Sequence, residues 1–120
     1  MKLVRSFGFA LRGIKTCFSS ETNFKIQALA GIITILLGFG FQVSFTEWVA
    51  LILCIAFVMA MELMNTAVEH LCNLVHREFH PGIRIIKDMA AGAVLISAVS
   101  GLITGSIIFI PKIIMFLKTI

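Results

Sequence analysis

The sequence predicts an all-α membrane protein: an N-terminal amphipathic surface helix followed by three transmembrane helices. Two observations carry the helical membrane class. Hydrophobic residues make up 59% of the 120-residue chain and charged residues only 13%, too little polarity to clothe a soluble domain of this size. The mean hydropathy is +1.05, and the charges cluster, leaving long apolar runs between them that suit a hydrocarbon solvent. The length allows one domain, residues 1–120.

Residues 1–20 are expected to form the surface helix. Leu3, Val4, Phe7, Leu11, Ile14 and Phe18 recur at helical spacing, while Lys2, Arg5, Arg12 and Lys15 hold the polar side, the pattern of a helix lying in the membrane interface. The alternative is a charged leader that only sets topology. No cleavable signal peptide is expected, because the first long apolar run starts deep, near Ile26, and no small-residue cleavage site follows it.

The first span is expected over 26–46, a run free of charge and long enough for a hydrocarbon core of about 30 Å. Glu47 and Trp48 mark its far interface. The second span is expected over 48–75. Its first part is wholly apolar. Then Glu62, Asn65, Thr66, Glu69 and Asn73 appear on the same helical pattern, which should end before Pro81-Gly82. The third span is expected over 89–110, closed by Pro111-Lys112. Ala93, Ser97, Gly101 and Gly105 form a small-residue row along it, read as a packing face.

Positive charge sets the orientation. Lys2, Arg5, Arg12, Lys15, Lys25, Arg77, Arg84 and Lys87 fall on one side of the spans; Lys112 and Lys118 fall on the other. The expectation is a multi-pass protein of the cell inner (cytoplasmic) membrane, with the N-terminus in the cytoplasm and the C-terminus outside. The net charge of +4 lies beside apolar spans, which favours lipid headgroups or a nucleotide over nucleic acid as partner. Three cysteines imply no disulfide framework, and Cys54 reads as a packing residue.

Five of the six acids, Glu21, Glu62, Glu69, Glu78 and Asp88, fall near the cytoplasmic interface, where a soluble nucleotide and a lipid headgroup can meet; Glu47 is the sixth. Glu62 and Glu69 are two helical turns apart, about 10.5 Å along one face, with Asn65 and Asn73 nearby. Glu62 sits deeper, where keeping a charge is costly, a condition suited to a general base acting on a hydroxyl. Glu69 is placed to ligate Mg2+, which prefers carboxylate and phosphate oxygen. Polar pairing between helices explains these groups equally well. Lys87 can meet phosphate oxygens or simply snorkel to the interface. Glu21 can serve a site or merely sit near a helix N-terminus. Cys72, His76 and His80 have a spacing that raises a zinc site, but Pro81 interrupts the face. No Walker-type glycine loop is present, so a bound ATP must be held by other groups.

The run Glu62-Leu63-Met64-Asn65-Thr66-Ala67-Val68-Glu69 resembles the signature of the prokaryotic diacylglycerol kinases and undecaprenol kinases, small integral membrane lipid kinases. Eighteen residues past Glu69, Lys87-Asp88-Met89-Ala90-Ala91-Gly92 is similar to the family's Lys-Asp motif, and Glu21-Thr22-Asn23-Phe24-Lys25 to its upstream Glu. The resemblance spans residues 21–112. It implies ATP-dependent phosphorylation of a lipid alcohol, undecaprenol or diacylglycerol. It also implies that Glu62 is the catalytic base, that Glu21 and Glu69 hold the Mg2+ of MgATP, and that Glu78, His80, Lys87 and Asp88 contact the nucleotide. Asn65 would order the site beside the lipid. The family forms homotrimers with sites between subunits. One departure is Asn73, where the family usually has Asp; weaker pairing with a basic group, and reduced stability or activity, are expected there. Asn23-Phe24, Glu78-Phe79-His80-Pro81 and Ile108-Phe109-Ile110-Pro111-Lys112 look more like the undecaprenol kinase branch. Two other classes compete: a small transporter built around an intramembrane Glu, and a non-catalytic assembly protein.

Overall fold

The computed structural model describes residues 1–120 as four helices: α1 (Lys2–Ser20), α2 (Thr22–Gly40), α3 (Phe45–Val75) and α4 (Pro81–Thr119). The last three are each long and apolar enough to cross a membrane. Only 12 of 120 residues are buried, and large apolar side chains such as Leu36, Leu53 and Leu102 stand exposed along the spans. That is the inverse of a soluble core and suits a protein solvated by lipid.

Helix α3 is the spine. α4 packs along it most extensively, α2 less so, and α2 and α4 do not pack on each other. The small-residue row of α4 faces inward: Ser97 is completely buried, and a Cβ at Gly101 would lie 3.7 Å from Val58 of α3. The row thus closes α4 on α3 within one chain. α1 turns off sharply at Glu21, where the backbone is extended, and buries only Cys17. Its apolar stripe, including Leu3, Phe7 and Leu11, is exposed, as an interfacial helix requires.

Three element bounds differ from the sequence expectation. α2 starts at Thr22 and ends at Gly40, not at 26 and 46. Gln42 takes a positive φ of 53°, and Val43 N–H reaches back to Gly38 O at 3.1 Å, which is the chain reversal that ends many helices. The uncharged run concealed this turn. α3 starts at Phe45, not 48, because Ser44 and Glu47 form a reciprocal capping box: Glu47 N–H donates to Ser44 Oγ at 3.2 Å and Ser44 N–H to Glu47 Oε1 at 2.9 Å. α4 runs from Pro81 to Thr119, far beyond 89–110. Pro81 occupies the first helical turn, where a missing N–H costs nothing, and Pro111 lies inside the helix, a placement that membrane helices tolerate.

The end of the bundle that holds Ser44 contains the small core: Val43, Leu51, Ile108 and Phe109, with Phe41 and Trp48 against them. Glu47 also meets Lys112 Nζ at 3.1 Å, tying the start of α3 to α4. Gly38 admits the Trp48 ring so closely that a Cβ there would lie 2.6 Å from it.

Candidate functional site

The opposite end of α3 carries the acids. Counted along one face, Glu62, Thr66, Glu69 and Asn73 follow each other at intervals of three or four residues and span about 16 Å. Glu62 is 3% exposed and Thr66 5%, while Glu69 is partly buried and Asn73 exposed. The face therefore grades from a dry, deep carboxylate to a wet, shallow amide, as a helix leaving hydrocarbon for water would.

Two residues from outside α3 approach this helix. Cys17 of α1 directs its thiol at Thr66 Oγ1, 3.7 Å away, so the surface helix touches the acid-bearing face one turn from Glu62. Glu21, at the α1–α2 junction, places Oε1 3.8 Å from His70 Nε2 on α3. Glu21 makes no side-chain cap to α2, so its carboxylate is not consumed by the helix end that it precedes. Glu21 thus lies beside His70, the residue after Glu69, on the helix that carries Glu62 and Glu69.

Asn65 stands between them. Its Nδ2 donates to Glu69 Oε1 at 3.2 Å, and its Oδ1 is buried with no hydrogen-bond partner. A buried acceptor without a donor is costly, and in a binding site it marks a position for a donor or a cation from a ligand. The donor set fits Mg2+: two carboxylates, Glu21 and Glu69, and an amide oxygen, all hard oxygen ligands. No group of three or more His, Cys, Asp or Glu side chains converges into a closed metal cage. Mg2+ needs none, since it is commonly held by one or two carboxylates together with substrate phosphates.

The nucleotide candidates collect at the α3–α4 loop. Glu78, His80 and Lys87 line one small polar pocket of about 110 Å³, with His76, Arg77 and Arg84. Lys87 Nζ donates to Asn73 Oδ1 at 2.7 Å, bringing the lysine onto the α3 face one turn beyond Glu69. Asp88, the next residue of α4, pairs with Arg84 one turn back at 3.3 Å, rather than with Lys87. His80 Nδ1 accepts from Gly82 N–H at 3.0 Å, capping α4, which leaves Nε2 as the ring nitrogen for a ligand. His76 and His80 rings meet edge-on at 5.4 Å, but Cys72 is buried one turn back and joins no metal cluster with them.

Below Glu62 an open apolar groove of about 420 Å³ runs between α2 and α4. Its floor is α3 at Leu51, Ile55 and Val58, positions 11, 7 and 4 residues before Glu62 and so on the same helical face. Sequence reasoning missed this groove, because it exists only where α2 and α4 fail to meet. It also missed the contact of Cys17 with Thr66 one turn from Glu62, and Arg77 and Arg84 as pocket residues. Their only sequence signals were the four-residue step from Glu62 to Thr66 and the basic character of the loop.

Fold and site define a class: a small multi-span membrane protein whose acids other than Glu47, with two amides and one lysine, lie toward a single end of the bundle, above an apolar groove. The family described as Prokaryotic diacylglycerol kinase matches residues 8–109. Over 111 residues the chain is 39% identical to Undecaprenol kinase of Bacillus subtilis (strain 168), covering 92% of this chain and 90% of that protein. It is 34% identical over 110 residues to Diacylglycerol kinase of Synechocystis sp. (strain ATCC 27184 / PCC 6803 / Kazusa), covering 91% of this chain and 63% of that longer protein. It is 32% identical over 108 residues to Diacylglycerol kinase of Haemophilus influenzae (strain ATCC 51907 / DSM 11121 / KW20 / Rd), covering 89% and 92%. The chain belongs to the prokaryotic diacylglycerol kinase family of membrane lipid kinases, which sets aside the transporter alternative.

Proposed function

We propose that this protein transfers the γ-phosphoryl group of ATP to the hydroxyl of a membrane lipid alcohol, with undecaprenol the first candidate and diacylglycerol the second. The carrying observation is Glu62: a carboxylate 3% exposed, one helical turn past Val58, the last α3 residue lining the apolar groove, and beside the polar cluster of α3. The order of substrates rests on the 39% identity to an undecaprenol kinase, against 34% and 32% to the diacylglycerol kinases.

In this reading the lipid tail lies along the groove floor and its hydroxyl meets Glu62. Glu62 takes the hydroxyl proton as the lipid oxygen attacks the γ-phosphorus. Lys87 faces the phosphates, and Asp88, Glu78 and His80 border the nucleotide. Glu21 and Glu69, with Asn65 Oδ1, would hold Mg2+, which supplies charge neutralisation on phosphate oxygens. Such catalysis is mostly positioning and electrostatics, within reach of a small helical scaffold. The functional unit is a homotrimer in the cytoplasmic membrane, N-terminus inside. The many exposed apolar side chains of α2–α4 leave ample surface for copies to associate.

The test is phosphorylation by purified protein in mixed micelles, with undecaprenol and diacylglycerol supplied separately, beside Glu62→Gln. Transfer to one lipid, reduced at least about 100-fold in the variant, supports the reading and names the substrate. Full turnover by Glu62→Gln removes the assigned base. A folded protein that neither binds MgATP nor phosphorylates either lipid would favour the non-catalytic alternative.

A further inference from the structure

Lys87 is the basic group in contact with Asn73. The contact is short, 2.7 Å from Nζ to Oδ1, and it bridges the last turns of α3 and the second turn of α4 across the loop. No carboxylate pairs with this lysine. Asp88, its chain neighbour, is engaged by Arg84 at 3.3 Å, and the ion pairs of the chain include none to Lys87. An amide oxygen orients an ammonium group by accepting one of its three protons but does not neutralise it. Two N–H groups and the whole positive charge stay available to a ligand. A carboxylate at the same place would orient the lysine equally well and cancel much of its field.

We propose that Asn73 is a positioning residue for the nucleotide: it aims Lys87 at the polyphosphate while leaving the lysine's charge unspent. This rests on the reading of Lys87 as a phosphate contact. The contact with Lys87 is exposed to solvent, so the effect of adding a charge there is bounded by the strength of a surface ion pair.

The experiment measures KM for MgATP and kcat at saturating lipid, with thermal melts, for the full chain in mixed micelles. The variants are Asn73→Asp, Asn73→Ala, Lys87→Met and the double variant Asn73→Asp/Lys87→Met. Asn73→Asp is expected to raise KM for MgATP about two- to fivefold, the range a surface ion pair commands, with kcat within about twofold and no loss of melting temperature. Added salt should weaken nucleotide binding less in Asn73→Asp than in the parent, since less net charge is in play. Asn73→Ala should raise KM as well, through lost orientation. In the Lys87→Met background, Asn73→Asp should change KM no further. A purely structural hairpin tie would instead leave KM for MgATP unchanged in Asn73→Asp, and that result overturns the proposal. If Lys87→Met itself leaves KM unchanged, the phosphate-contact reading fails, and the proposal fails with it. If Lys87→Met raises KM and Asn73→Asp does not, the proposal alone fails.

Discussion

Asn65 presents the sharpest asymmetry at the level of single side chains. One half of its amide is tied to Glu69, while the other half is buried without a partner. A group kept for folding alone would have both halves satisfied. Asn65→Ala is therefore expected to lower turnover by about 10- to 100-fold, the order seen when groups that order ligands are removed, and to change the melting temperature little. Kinetics and thermal melts on the same preparation check this; a large fall in melting temperature with retained turnover would make Asn65 structural. The acids of the site were legible in the sequence as residue types at helical spacing. The hydrogen bonds that divide labour among them were not. Nothing in the string distinguishes a lysine that meets Asn73 from one that meets Asp88, because 14 and 1 residues of separation become comparable only once the α3–α4 hairpin closes.

The elements depend on two local devices at the far turn. Gly38 is there for the Trp48 ring, which leaves no space for a Cβ. Gly38→Ala should destabilise the protein by about 1–3 kcal/mol, the cost of overpacking a close contact, read as a lower unfolding midpoint in detergent. Gln42, by contrast, stands in the left-handed conformation that glycine adopts without penalty. Gln42→Gly should be neutral to stabilising, by up to about 1 kcal/mol, in the same assay. Hydropathy identified three spans because each is long and continuous. It misjudged their ends because ends are decided by caps and turns. The Ser44–Glu47 box has a recognisable sequence signature, yet Glu47 beside Trp48 reads just as naturally as an interface marker. Pro111 reads as a terminator, and only the continuing apolar helix on both sides shows that it is not.

For the molecule as a whole, polarity is separated end from end. The Glu47–Lys112 pair and the aromatic core occupy one end, and the acids with Lys87 occupy the other. With three spans, a reporter fused after Ile120 should register outside the cytoplasm and one fused before Met1 inside; the reverse pattern would put the candidate site on the side without ATP. The overall class was readable from composition because burial and lipid exposure differ so strongly in hydropathy. The groove was not, because it is a property of how α2 and α4 share α3.

That sharing bears on how the protein is made. α3 emerges from the ribosome before α4, yet α4 supplies its most extensive packing partner and the fully buried Ser97. A nascent chain halted after Val75 would hold the paired α2 and α3 and every acid of the candidate site except Glu78 and Asp88, but it would present most of α3 to lipid. Synthesis thus delivers most of the candidate site before its principal wall, so the helix that enters the bilayer after α3 is the one that makes the earlier ones hold their shape.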